Sequence, residues 1–458
     1  MKPLHRLPRL AYRYLAFART RIAGSALRRA RFHLVALARN VKDWWDLPPG
    51  RLDPFDREMR FNQRYTLEKA ARLGPIFKVW WNGGHTTCVV GHARARRLLL
   101  GEGNSLQGAT IDLRSLFSVG HLRAMQGDTH RKYRRQFVEA LNAVPCDVHE
   151  PALRECMRAG LDAMIGRSNR ATIEREELRS CLRAITMNIM LRLLLSVTPQ
   201  SREYDELIQN YRQFGPEAPV WTVRHSQRAA FTEIRRLVAH LADDIRRNPQ
   251  GSCPSVLAHF VTHNELDETV LGNLIYMVEG SHFDLYSLWT WILQHLAANP
   301  NVANRFRTET DALRWRALAK AIVLETLRLE QSEAVNRVAI SDIIFDGYRI
   351  PRNTVVRACL WEGHKSPRVF TDPFAFDPDR FIDRAWSIEE FAPFGLDKHR
   401  CIAADFVVVV SALFVEIVLS EYRLNMVSVG LPRLGAFHWE PGSDLAIDLA
   451  RFSDGARP

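Results

Sequence analysis

The sequence predicts a mainly α chain with minor β-sheets, an α+β fold, on three observations. Two long stretches, Leu271 to about Leu296 and Ile402 to Leu419, are too long and too continuously apolar for strands and suit buried helices. Strand-like segments are confined to the neighbourhoods of residues 76–91, 339–358 and 432–449. The 458 residues contain no internal repeat, low-complexity tract or long Gly/Ser linker after Leu47. One large domain, 46–458, is therefore expected behind a separate arm, 1–45, and at that size it can bury a substantial core.

The arm carries the charge. Of the formal net charge of +12, eleven positive charges come from Lys and Arg in residues 1–42, which hold no acid, so the rest of the chain carries +1. Leu, Ala, Phe, Tyr and Val are interleaved with those arginines, which suits an amphipathic helix lying on anionic lipid. The same composition resembles a mitochondrial transit peptide, and a solvated basic tail is the plainer alternative. No stretch there approaches the roughly 20 apolar residues that span a bilayer. A nucleic-acid partner is not expected, because no base- or phosphate-reading motif accompanies the arm. The seven cysteines are odd in number and scattered, without C-x-x-C spacing, which argues for a reducing compartment and against a zinc or disulfide framework. A cytoplasmic location, with peripheral membrane contact through residues 1–42, is the expectation; the alternative is mitochondrial.

Cys401 is the candidate for chemistry. In the run FAPFGLDKHRCIA, Phe391 to Ala403, it closes a glycine-containing loop and opens an apolar helix. A sulfur at or near a helix N-terminus is stabilised as an anion by unpaired N–H groups and the positive dipole end, and such a sulfur can bind iron. Pro393 and Gly395 shape the turn, and Phe394 can cover one face of a flat macrocycle. The alternative is a buried structural thiol. Glu325 and Arg328, three apart in the helical run AIVLETLRL, share a face, and their apolar surroundings favour a buried pair with a third partner. Arg380, in FDPDRF, can supply it.

At these residues the chain resembles the cytochrome P-450 family of haem-thiolate enzymes, from Leu47 to the C-terminus. LPPG at Leu47 is similar to the family's proline-rich entry, and RLGPIFKVW with TTCVVG to its first two strands. His130, four before Arg134, is similar to the helix that holds a haem propionate. Arg337 stands where another propionate ligand is expected, before a hairpin-like FDGYRIP ending at Pro351. The resemblance implies a long distal helix over the haem, with the cysteine loop and its helix on the proximal side. It implies haem b (iron protoporphyrin IX) on Cys401, held by His130, Arg134, Arg337, Phe394 and His399. It further implies a monooxygenase acting on a small apolar substrate with O2. No flavin or nicotinamide fingerprint is present, so electrons must come from an external ferredoxin- or flavodoxin-type reductant. Lys398, His399, Arg400, Arg131, Lys132 and Arg135 can steer such an acidic partner.

Several residues depart from the family pattern. Asp397 replaces a glycine at a position that often needs positive φ, which predicts a strained loop. Ala403 replaces a second glycine, and His399 takes an arginine's place while keeping a donor for a propionate. On the distal helix, Gly280 allows close approach to the haem, and in one register Phe283 replaces the usual acid and Asp284 the usual threonine; a one-residue slip makes Asp284 the acid and Leu285 the missing alcohol, and in either register the usual hydroxyl is absent. Walled by Phe283 and Leu285, Asp284 is expected to have a raised pKa and to relay protons itself. Without that relay, the alternatives are a peroxygenase, isomerase or dehydratase, or a non-catalytic haem-binding sensor. Expected pocket walls are Leu106 to Ala124, Glu279, Phe283, Ala334, Val335 and Phe437 to Trp439.

Overall fold

The computed structural model describes residues 46–81, 84–109, 116–117, 120–167, 172–215, 223–331, 334–435 and 438–452. The basic arm, Phe437 and parts of the 106–124 segment lie outside them.

The architecture is mainly helical, with small sheets at the edge. The longest helix, Glu268–Ala298, crosses the whole core. Asp267 starts it, its carboxylate accepting from the Thr269 and Val270 N–H groups at 2.9 and 2.8 Å; Asn299 and Pro300 end it. It extends a few residues beyond both ends of the apolar run that predicts it, because its first turn is polar and capped. Its apolar faces are buried on all sides, as continuous hydrophobicity requires. Trp289 stacks on Phe414 of the helix Ala404–Glu421 at 4.0 Å and donates to Ser411 Oγ at 3.0 Å. Trp291 donates to the Trp439 carbonyl at 3.0 Å, joining the same helix to the C-terminal hairpin.

All three predicted strand regions are strands. In the five-stranded sheet, Ile76–Trp81 and Gly84–Val90 pair antiparallel, Gly84–Val90 runs parallel to Val355–Cys359, and Ala334–Ala339 and Leu106–Gly108 complete it. Register places Gly108 opposite Arg337. The FDGYRIP segment forms the hairpin of Ile343–Phe345 with Tyr348–Ile350. Asp346 and Gly347 both have positive φ there, as a two-residue turn requires. The strands Pro432–Leu434 and Trp439–Pro441 pair with each other, and Ala446–Arg451 joins Tyr422–Ser428 and Thr172–Glu174 in a third sheet. The short strands Leu106–Gly108 and Thr172–Glu174 and the longer Tyr422–Ser428 have no signal in the sequence reading.

The helix Ala312–Glu330 carries the Glu325–Arg328 pair into full burial, both side chains being 0% exposed. Arg328 Nε and Nη2 hold the carboxylate at 2.6 and 2.7 Å. Its remaining N–H groups donate to the carbonyls of His364, Pro373 and Ala375. Asp377 N donates to Glu325 Oε1 at 2.9 Å, and Arg380 Nε lies 3.4 Å from the same oxygen. Nearby, Lys365 Nζ caps the helix by donating to the Arg328 and Leu329 carbonyls. Burial pushes Lys365 down to about 7.

Removing one partner of such a pair leaves an uncompensated charge in the core. Arg328→Ala is expected to cost about 3–5 kcal/mol in chemical denaturation. Arg235→Ala, which breaks an exposed pair with Glu268, is expected to cost less than about 1 kcal/mol.

Candidate functional site

The cysteine loop is shaped by its own backbone. Gly395 N donates to Ala392 O at 3.3 Å, Arg400 N to Asp397 O at 3.0 Å, and Cys401 N to Phe394 O at 2.9 Å. The last bond sets Phe394 beside the cysteine. The left-handed position is Gly395, with φ +104°, where a Cβ would lie 3.5 Å from Arg400 Cα and 3.9 Å from Val335 Cγ2. Asp397 is not among the positive-φ residues, so the strain expected there is absent. Its carboxylate accepts instead from Arg337 Nη2 at 2.6 Å and His399 N at 2.9 Å. Burial pushes Asp397 up, but the His399 and Arg337 contacts outweigh it and hold the acid well below the usual carboxylate range.

Two of the expected propionate ligands have partners of their own. Arg337 is engaged by Asp397 and by the Asn336 carbonyl, at 3.0 Å. His399 directs Nε2 to the Met125 carbonyl at 3.1 Å, leaving Nδ1 buried with no hydrogen bond. His130 packs against it, ring centroids 4.1 Å apart, and burial with the His399 charge pushes His130 down to about 4. Arg134 donates to the Arg400 carbonyl at 2.7 Å. The four basic groups thus gather around one loop, with the other guanidinium N–H groups of Arg134 and Arg337 left as anion donors.

Cys401 lies deep in the protein, yet its surface is accessible. Asp284 behaves alike: it sits mid-helix with 59% of its side chain accessible. Both therefore face an internal cavity between the cysteine loop and the long helix. The helix Ala404–Glu421 starts three residues after the sulfur. Burial pushes the thiol up, as does the Asp284 charge, while the Ala403 N–H, Arg123 and Arg134 pull it down.

Gly280 and Asp284 share the cavity face of the long helix, and Gly280 leaves room there, the nearest atom to an added Cβ being Tyr276 Cε1 at 3.7 Å. Asp284 does not have the raised pKa expected of it. Burial alone would raise it, but His438 Nε2 lies 2.8 Å from Oδ1 and, with Arg123 and His282, holds the acid below its ordinary value. Phe283 points elsewhere: it is buried against Tyr286, at 5.2 Å, and near His438, at 6.3 Å. Glu279, expected as a wall, faces helix Tyr204–Phe214 and its following Gly215, whose added Cβ would meet Glu279 Oε1 at 2.6 Å. Burial pushes Glu279 up to about 8.

Four cavity groups escaped the sequence reading: His121, Arg123, Tyr276 and His438. His121 packs edge-on against Tyr276, ring centroids 4.3 Å apart, and Arg123 interacts electrostatically with the Tyr276 side chain. His121, Arg123 and His438 fall within the expected walls 106–124 and 437–439, and Tyr276 on the predicted distal helix, but no spacing singles them out.

Comparisons with known proteins agree with this geometry. The family model described as Cytochrome P450 matches residues 264–434. Abscisic acid 8'-hydroxylase 1 of Arabidopsis thaliana is 28% identical over 250 residues, 50% of this chain and 53% of that protein. Cytochrome P450 26A1 of Xenopus laevis is 21% identical over 413 residues, 81% of this chain and 83% of that protein. Among solved structures, the retinoic acid bound cyanobacterial CYP120A1 superposes with a TM-score of 0.72 at 19% identity, covering 89% of this chain and 100% of that one.

A carboxyl whose folded pKa lies below its unfolded one adds stability above the unfolded value, and that stability is lost as pH falls through the folded value. The Asp284–His438 contact therefore supports the fold at neutral pH and weakens on acidification. Thermal denaturation between about pH 3 and 7 is expected to show a shallower acid loss in His438→Gln and Asp284→Asn than in wild type.

Proposed function

The chain belongs to the cytochrome P450 family, and from that premise we propose that it is a haem-thiolate monooxygenase with Cys401 as axial ligand, inserting one oxygen atom of O2 into an apolar small molecule. The observation that carries the reading is the placement of an accessible sulfur, three residues before the helix Ala404–Glu421, across a cavity from Gly280. The residues fit a haem. The Arg134 and Arg337 guanidiniums offer donors to its propionates, and Phe394 is seated beside the sulfur. Bound haem supplies the redox iron for O2 reduction, chemistry that an anionic sulfur ligand favours.

The protein's own task is to deliver protons and exclude stray water. Reduction of one oxygen atom to water consumes two protons and two electrons. Asp284 stands where the resemblance places a threonine, so its carboxylate and His438 form the proposed relay. His438, whose side chain is 21% exposed, takes a proton from outside, and Asp284 passes it into the cavity. The lowered pKa of Asp284 suits a relay that rests ionised and is protonated only transiently. Electrons come from an external partner. Lys398, Arg400, Arg131, Lys132 and Arg135 are exposed on the cysteine side and favour an acidic ferredoxin or flavodoxin. Among the described residues no helix is long and apolar enough to cross a membrane. We further propose peripheral contact with anionic lipid through the basic residues 1–42.

The reduced carbon monoxide complex is expected to show the red-shifted Soret band of a thiolate ligand, lost in Cys401→Ser and kept in Asp284→Ala. Absence of that band from folded, haem-supplied wild type overturns the reading. Asp284→Ala and His438→Ala are each expected to lower product formed per electron consumed by about tenfold, the lower end of the usual contribution of a positioned proton donor being larger still. Turnover by both variants at wild-type coupling removes the relay. Neutralising Lys398 and Arg131 together is expected to slow reduction by the partner at low salt and flatten its salt dependence.

A further inference from the structure

We propose that Arg123, with Tyr276, anchors an anionic group of the substrate, a carboxylate, inside the cavity, so that the enzyme acts on apolar acids. This rests on the monooxygenase reading above and deepens it by naming a substrate class.

The turn that carries Arg123 is fixed from three sides. Asn273 of the long helix accepts from Leu122 N at 2.7 Å and donates to Gly120 O at 3.2 Å. His399 holds the Met125 carbonyl. Gly108 lies so close that an added Cβ would meet the Arg123 carbonyl at 2.8 Å. The backbone that presents the guanidinium is therefore set before anything binds.

Its side chain is exposed although it lies deep in the protein, so it faces the cavity. An enclosed cation needs a partner. Among the described residues no carboxylate lies within salt-bridge distance of Arg123. Asp284, whose charge it feels, is already held by His438 at 2.8 Å. The Tyr276 phenol beside it is kept protonated by burial, and burial likewise keeps neighbouring His121 neutral. A planar fork of donors beside a phenol, with Phe117 and His121 packed alongside at 5.5 Å from each other, suits a carboxylate at the end of an apolar body. A haem propionate offers the same chemistry. The substrate is favoured because the turn that carries Arg123 is held against the long helix, by Asn273 and by His121 packed on Tyr276 one turn before Gly280, whereas the donors for propionates gather at the cysteine loop.

Probes directed to the iron remove dependence on an unknown scaffold. The holoenzyme is titrated with ω-(imidazol-1-yl)alkanoic acids of several lengths and with their methyl esters, reading the red-shifted Soret band of imidazole ligation. At the best length, wild type is expected to bind the acid at least about tenfold more tightly than the ester. Arg123→Gln is expected to erase that preference with ester affinity little changed, and Arg123→Lys to keep part of it. Equal binding of acid and ester at every length in wild type overturns the proposal. So does an Arg123→Gln enzyme that weakens both alike, or one that loses haem while its loaded fraction keeps the preference, which assigns Arg123 to a propionate. Loss of both the imidazole band and the carbon monoxide band in wild type is a different failure, that of the haem-thiolate reading.

Discussion

Arg328 is a guanidinium without contact with water, and the geometry of the whole cysteine side follows from what it must touch. Its N–H groups fan out from the helix Ala312–Glu330 to Glu325 and to three carbonyls in the stretch 364–375. Glu325 in turn takes the Asp377 N–H and the Arg380 side chain. Irregular chain from 364 to 391 has few regular hydrogen bonds of its own, so these contacts fix it against a rigid helix. His364, at the start of that stretch, accepts from Ala392 N at 3.0 Å. The ion pair is thereby linked, through one histidine, to the first turn of the loop that ends in Cys401.

The two walls of the cavity are tied by polar contacts rather than by packing alone. Asn273 and His399 grip opposite ends of the 120–125 turn, one from the long helix and one from the cysteine loop. Asp397 and Arg337 join that loop to the five-stranded sheet. Each such contact is directional, so together they set the separation of Gly280 from Cys401 more sharply than apolar burial can. The two long apolar helices supply the bulk of the stabilisation, and these few polar links supply the registration.

What was legible in the sequence is what depends on residues near one another in the chain. The Cys401 loop, the Glu325–Arg328 pair, the Asp-Gly hairpin and the apolar helices all announce themselves within about one or two helical turns. The charge states did not. Asp284 beside Phe283 and Leu285 reads as an acid in an apolar groove, and a raised pKa is the right inference from those neighbours. Its pKa is set instead by His438, 154 positions away. Asp397 likewise reads as a strained replacement for glycine, because the adjacent Gly395 that takes the positive φ and the distant Arg337 that takes the charge appear only in three dimensions. Arg123 lies in an irregular turn with no periodicity and no motif.

The departures from the family pattern also form one electrostatic system. A sulfur anion at Cys401 and the Asp284 carboxylate would repel across the cavity, and each raises the other's cost of ionisation. Arg123 lies within reach of both fields and offsets both. An alcohol at position 284 would need no such counter-charge. Replacing it with a carboxylate requires a cation on each side, His438 toward the exterior and Arg123 toward the interior. If a substrate carboxylate then enters and takes Arg123, the field that favours ionised Asp284 weakens while the His438 contact remains.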